Sequence, residues 1–327
     1  MDRNLWPLWT AEGGSASPLG RLGIDGQFFT LDEQPFTLIQ SSDFSLFKRS
    51  LDGEDITPIL EQRQAVGFNA LRVWLLNASV VPGTIHPDQY SDFYERLSDF
   101  VDVCGLYGFV VELTVFTQTK TLMPSREDQQ RHLDRTADAV RGKGNVLLEQ
   151  VNEWDQHDNA PYADLHRPPG VLISRGSNGA DSIPPMHHDP WDYEVYHTND
   201  LAEFQRKVGH NAFEWATESG KPCVSNENTR YPDRDSSEAH AYDAAMGGAL
   251  LCAGSCYHSE SGKWSVLFAY GPETDCARAW VDGANSVPLA YQRGFYTHRT
   301  ELEGPDCLRA CSRTLPDGRE HVILIRP

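Results

Sequence analysis

A chain of 327 residues can form one large α/β domain or two smaller ones, and 39% apolar against 23% charged residues excludes an intrinsically disordered chain. The 28 Lys and Arg face 47 Asp and Glu, and the formal net charge of −19 opposes nucleic acid and anionic lipid as partners. No apolar run approaches the roughly 20 residues of a membrane helix.

Residues 1–20 lack the apolar stretch of a signal peptide and read as an arm or linker, with Trp6 and Trp9 free to dock. The expected location is therefore cytoplasmic or virion-associated. At 21–40 the segment "RLGIDGQFFTLDEQPFTLIQ" predicts a β-hairpin turning at "LDEQPF". Strand and helix signals then alternate. "FTLIQSSDF" predicts a first core strand. "DITPILEQRQAVGFN" predicts a helix with Pro58 near its start and Gly67 at its end. "ALRVWLL", a long amphipathic helix over 86–108, "FVVELTVF", a polar helix over 126–145 and "VLLEQVNEW" follow. "GVLISRGSN" and "DYEVYHTND" supply fifth and sixth strands, with little room for helices around them. A helix at 201–220, the strand "KPCVSNENTR", a helix at 236–250, the strand "LCAGSCYHSESG" and a helix near "TDCARAWVDGA" complete the series. The end, "LRACSRTLPDGREHVILIRP", predicts a hairpin turning at "PDG".

Repeated βα units imply parallel strands with right-handed crossovers, and about eight of them close a barrel of typically ~250 residues. The predicted fold class is thus an α/β (β/α)8 TIM barrel over 21–287, including the N-terminal hairpin. Residues 288–327 form a C-terminal hairpin extension packed on it. An open doubly wound sheet is the alternative, weakened because no Gly-rich phosphate loop follows the first strand. The seven cysteines, Cys104, Cys223, Cys252, Cys256, Cys276, Cys307 and Cys311, fit no zinc spacing and read as buried free thiols.

Barrel chemistry sits where strands end and βα loops begin. Those ends carry Arg72 on the second strand, Asn152-Glu153 after the fourth, His197 on the sixth, Asn226-Glu227 on the seventh, and His258 with Glu260 after the eighth. Two carboxylates facing each other can cleave a glycosidic bond, one as proton donor and one as nucleophile, at about 5–5.5 Å for retention. Glu149 shares the parity of Glu153 but lies deeper, and a buried carboxylate there needs a partner such as Arg72.

In these positions the chain resembles the clan A glycoside hydrolases, the TIM-barrel group of the family 5 cellulases and mannanases. "ExxNE" at Glu149–Glu153, "LRVW" on strand two and "VSNEN" on strand seven carry the resemblance, which runs from about Leu22 to Trp264. It implies Glu153 as acid/base, Glu227 as nucleophile, and Arg72, Asn152 and His197 as their supports. Asn199 stands where the family often has Tyr, and the usual strand-eight Trp is replaced by His258 or by Trp264 beyond it. Trp74 and Trp154 are further candidates for stacking on sugar rings. Some strings, "WDYEVYHTND" among them, are also similar to hydrolase-like proteins of phage genomes. A carbohydrate is the expected substrate, with no cofactor and no metal, although "MHHDPW" at 186–191 would be the place to look for one. The competing function is a non-catalytic carbohydrate-binding barrel, for example a virion or surface attachment protein. A barrel aldolase or isomerase would want a strand-end lysine or a metal set.

Overall fold

The computed structural model describes residues 19–78, 83–154, 165–176, 191–197, 219–227, 238, 241, 242, 245, 253–257, 272–286, 298–301, 309–314 and 320–325. At 227, 272–274 and from 298 onward only the backbone is described.

Eight parallel strands form one sheet: β4 (Leu38–Ser42), β5 (Ala70–Trp74), β6 (Val110–Phe116), β7 (Val146–Val151), β8 (Ile173–Gly176), β9 (Glu194–His197), β10 (Cys223–Glu227) and β11 (Gly254–Tyr257). The order β8-β7-β6-β5-β4-β11-β10-β9 is that of a barrel cut between β8 and β9. That seam is bridged by Asp192, whose N–H donates to Ile173 O and whose Oδ2 accepts from Ile173 N, both at 2.9 Å. The fold is therefore the (β/α)8 barrel that the alternating pattern predicts.

The helices explain themselves locally. α2 (Thr57–Val66) has Pro58 in its first turn and stops at Gly67, whose φ of 106° suits glycine. α3 (Phe93–Leu106) buries Phe93, Leu97, Phe100, Val101 and Cys104, a helical spacing that lays one face on the barrel. α5 (Arg126–Val140) is capped by Ser125, whose hydroxyl accepts from Asp128 N. Two short helices, α1 (Leu46–Leu51) and α4 (Thr119–Leu122), were not expected from the sequence, being too brief for a periodic signal. The expected final helix is α6 (Pro272–Asn285).

The N-terminal segment is a three-stranded antiparallel sheet rather than one hairpin, with β1 (Leu22–Asp25), β2 (Phe28–Leu31) and β3 (Gln34–Phe36). The overlooked turn is Asp25-Gly26, a dipeptide suited to positive φ, here 58° at Gly26. The expected turn has Asp32 and Glu33 at φ 48° and 64°, and the Asp32 carboxylate accepts from Arg21 N at 2.8 Å. This sheet lies under the barrel floor. Leu22 and Phe29 share a buried cluster with Leu38, Ala70, Val110, Leu147, Val195, Val224 and Ala253, residues at the beginnings of the barrel strands. Phe29 meets the Tyr193 ring edge-on at 5.6 Å.

The C-terminal strands β13 (Arg309–Thr314) and β14 (Glu320–Ile325) pair antiparallel as the expected hairpin. An unforeseen strand, β12 (His298–Glu301), adds to β13. Among the described residues Cys104, Cys223, Cys256 and Cys276 are buried free thiols. None of the helices is long and apolar enough to cross a membrane, again among the described residues.

Candidate active site

Strand alternation decides what enters the barrel interior. Above the apolar floor the interior turns polar. β4 contributes Gln40, β5 Arg72, β6 Glu112 and Thr114, β7 Glu149, and β10 Asn226. All are fully buried. Charge at this depth must be paired or neutralised.

Arg72 and Glu149 form the ion pair that the sequence suggested. The guanidinium donates to Glu149 Oε2 from Nε at 3.0 Å and from Nη2 at 2.7 Å, and Thr114 Oγ1 donates to the same oxygen at 2.6 Å. Arg72 Nη2 also donates to Asn152 Oδ1 at 2.7 Å. Arginine has no acceptor, so this contact fixes the amide of Asn152 with its oxygen toward Arg72.

Asn152 and Glu153 follow β7 directly, 3% and 2% exposed. Glu153 has φ 47°, in the left-handed region where a non-glycine residue is strained. Its Oε1 lies 3.3 Å from Nδ1 of His197 at the end of β9. His197 Nε2 lies 2.7 Å from Asn226 Oδ1. On the far side, β10 carries a bulge: Ser225 pairs with Tyr196, but Glu227 pairs with His197, so two residues of β10 oppose one step of β9. The backbone of Glu227 is therefore level with His197, at the barrel end where Glu153 lies. The Glu227 side chain is outside the described residues.

Trp74, at the end of β5, stacks on Phe44 with ring centroids 4.0 Å apart and planes 10° from parallel. One of its faces is thus occupied, and its buried indole N–H has no partner among the described residues. Trp154 is partly buried against the main core. Phe116 packs edge-on against His132 of α5, a core role. Asn199, His258, Glu260 and Trp264 lie outside the described residues, as do residues 186–190 of "MHHDPW".

Glu112 went unnoticed in the sequence. Its Oε2 accepts from Gln40 Nε2 at 2.8 Å and from Asn226 Nδ2 at 3.1 Å, and its Oε1 meets Tyr193 Oη at 2.9 Å. Burial raises the Glu112 carboxyl above its ordinary value, and the nearby Glu149 adds to this; Arg72, Gln40 and Asn226 offset part of it. The signal was available. A Glu in the apolar run "FVVELTVF" poses the same question of pairing that Glu149 posed in "VLLEQV".

No family model matches the chain, and no curated protein does. Among solved structures the fold recurs in a Bacteroides vulgatus protein described as a candidate glycoside hydrolase, with TM-score 0.63 and 14% identity over 91% of this chain and 68% of that one. It also recurs in a glycoside hydrolase family 5 mannosidase from Rhizomucor miehei, at TM-score 0.57 and 13% identity over 86% of this chain and all of the other. An endo-1,4-beta-mannanase from Eisenia fetida matches at TM-score 0.57 and 13% identity, covering 83% of this chain and 97% of its own. At such identities the likeness is one of fold.

Proposed function

We propose that the chain is a retaining glycoside hydrolase acting on an oligo- or polysaccharide, with Glu153 as acid/base and Glu227 as nucleophile. The observation that carries this reading is the placement of both residues around His197. Its side chain meets Glu153 at 3.3 Å, and its backbone pairs with Glu227 across the β9–β10 step. Four groups that a glycosidase of this type would use, Arg72, Asn152, Glu153 and His197, converge on the same end of the barrel.

In the first step the Glu227 carboxylate attacks the anomeric carbon. The glycosidic C–O bond breaks, and its electron pair takes the proton of Glu153 on the leaving oxygen. In the second step water attacks the glycosyl ester, Glu153 accepts the water proton, and the Glu227 carboxylate is released. Asn152, its amide fixed by Arg72, offers an N–H donor to a sugar hydroxyl beside the reacting carbon. Trp74 offers an indole N–H.

The neighbours named as mannosidase and mannanase make β-mannans the first polysaccharides to screen, with β-glucans beside them. Activated aryl glycosides should be turned over by the wild type and not by Glu227→Gln, and both Glu153→Gln and Glu227→Gln should fail on unactivated substrates. Sugar binding with no turnover on any substrate would assign a carbohydrate-binding barrel instead.

A further inference from the structure

We propose that Glu112, acting through Asn226, holds the ring proton of His197 on Nε2, so that His197 Nδ1 and Glu153 Oε1 share one exchangeable proton. Glu112 and Asn226 are then positioning residues for the acid/base step. The inference rests on the glycosidase reading for its purpose, but not for its geometry.

The contacts fix each group in turn. Glu112 Oε2 already faces the Gln40 amide and meets Asn226 at 3.1 Å. A carboxyl oxygen that receives Gln40 Nε2 is an acceptor whether Glu112 is ionised or protonated on its other oxygen. Asn226 must therefore turn its NH2 toward Glu112 and its Oδ1 toward His197. An amide oxygen only accepts, so the 2.7 Å contact requires a proton on His197 Nε2. The Glu149 Oε1 oxygen, 3.9 Å from that nitrogen, favours the same tautomer.

The other end of the chain indicates that Glu112 is a neutral acid. Tyr193 Oη lies 2.9 Å from Glu112 Oε1 and 2.9 Å from Leu148 O. With a proton on Oε1, Glu112 donates to Tyr193 and Tyr193 donates to the carbonyl, and each contact has one hydrogen. With Glu112 ionised, the single phenol proton would leave one of the two contacts between bare oxygens. Neutrality also suits the charges among the described interior residues, where the Arg72 guanidinium is paired with Glu149. The groups facing Glu112 are Gln40 on β4, Arg72 on β5, Glu149 on β7, Tyr193 before β9 and Asn226 on β10. Among the described residues, those facing His197 include Glu149, Glu153 and Asn226, with the Glu227 backbone level with it on the bulge.

With Nε2 committed, only Nδ1 is left to face Glu153. The pair holds its one proton either as Glu153 O–H donating to Nδ1 or as imidazolium donating to the carboxylate. A proton lost to the leaving oxygen and regained from water thus returns to the same contact. If His197 instead carried its proton on Nδ1, it would donate to Glu153 and favour the ionised carboxylate, the wrong form for the first step.

Two measurements test this on the full chain. Nitrogen-15 NMR of the labelled protein reads which ring nitrogen of His197 is protonated, with no substrate present. The wild type and Glu112→Gln should show Nε2–H, because a glutamine offers the donor to Tyr193 and the acceptor to Asn226 that a neutral acid does. Asn226→Leu should lose that preference. In parallel, Asn226→Leu should be slowed about tenfold or more on phenyl β-mannoside or β-glucoside and far less on the 2,4-dinitrophenyl compounds, which need little proton donation. Glu112→Gln should keep the wild-type leaving-group dependence and pH profile. A neutral wild-type ring protonated on Nδ1 alone, or a neutral Nε2–H ring retained in Asn226→Leu, overturns the proposal. Absence of turnover on every glycoside would count against the glycosidase reading alone, since the tautomer is still read by NMR.

Discussion

At the scale of single residues the acid/base candidate sits under backbone strain. A non-glycine residue at φ 47° costs on the order of 1 kcal/mol, which glycine avoids. Glu153→Gly should therefore be at least as stable as Glu153→Ala in urea titrations, reversing the usual order of glycine and alanine. A clear deficit for the glycine variant would show that the left-handed backbone is not maintained in solution. Both variants should lose hydrolysis of unactivated substrates. Azide should restore turnover of an activated glycoside in Glu153→Ala but not in Glu227→Ala, because only the former still forms the glycosyl ester. Arg72→Met would strand the Glu149 carboxylate in the barrel, and should cost about 3–5 kcal/mol of stability. The double variant with Glu149→Gln should recover much of that loss; strict additivity would deny the coupling.

Titration adds a second residue-scale prediction. Burial raises Glu194, at the start of β9, from 4.5 to about 7, with Lys221 pulling the other way. The folded protein then holds a proton that the unfolded chain releases, so this contribution to stability is full below 4.5 and is lost as the pH rises to about 7. His132 has the opposite sign. Burial lowers it from 6.5 to about 3, so its contribution is present above 6.5 and is lost as the pH falls toward 3. The two trends offset each other in the wild type. They separate by difference: Glu194→Gln should gain stability relative to wild type as the pH rises from 5 to 8, a window taken from about 4.5–7. A pH-independent difference between the two proteins would mean that Glu194 titrates normally.

Among the elements, the meeting of β7 and β8 governs where Glu153 can lie. Gly176 has φ 104°, and a Cβ there would lie 1.8 Å from the carbonyl oxygen of Val151, two residues before Glu153. Gly176→Ala must push the end of β7 aside. It should cost at least about 2 kcal/mol and reduce kcat more than it raises KM. Stability and kcat both at wild-type level would show that the strand ends are looser than this packing allows. The barrel's first crossover is held by another buried pair, Arg63 of α2 and Asp43 after β4, at 3.0 Å from Nε and 2.5 Å from Nη2. That pair was not legible because Asp43 follows an ordinary strand and Arg63 occupies an ordinary helix position. Only the packing of α2 against the strand end brings them together.

For the whole molecule, floor and mouth are separate. The N-terminal sheet closes the bottom through Leu22 and Phe29, while the candidate site occupies the ends of β5, β7, β9 and β10. Phe29→Ala should lower stability by about 3–5 kcal/mol while leaving kcat unchanged at temperatures where the barrel stays folded. A large drop in kcat under those conditions would mean that the floor and mouth are coupled.

The barrel was readable because its code is local. Apolar runs of strand length alternate with amphipathic helices, and loop breakers fall between them, as in Gly67 before "ALRVW" or the polar stretch before "VLLEQV". Glu153, Arg72 and His197 could be picked out because each is a polar residue at a place where strands end. What local pattern could not contain is the pairing across the interior. Asn226 and Glu112 stand 114 positions apart, and Arg72 and Asn152 80 apart. Their hydrogen bonds depend on strand register, on the bulge in β10 and on closure of the sheet. Those are properties of the folded barrel, and they decide which way each buried amide turns.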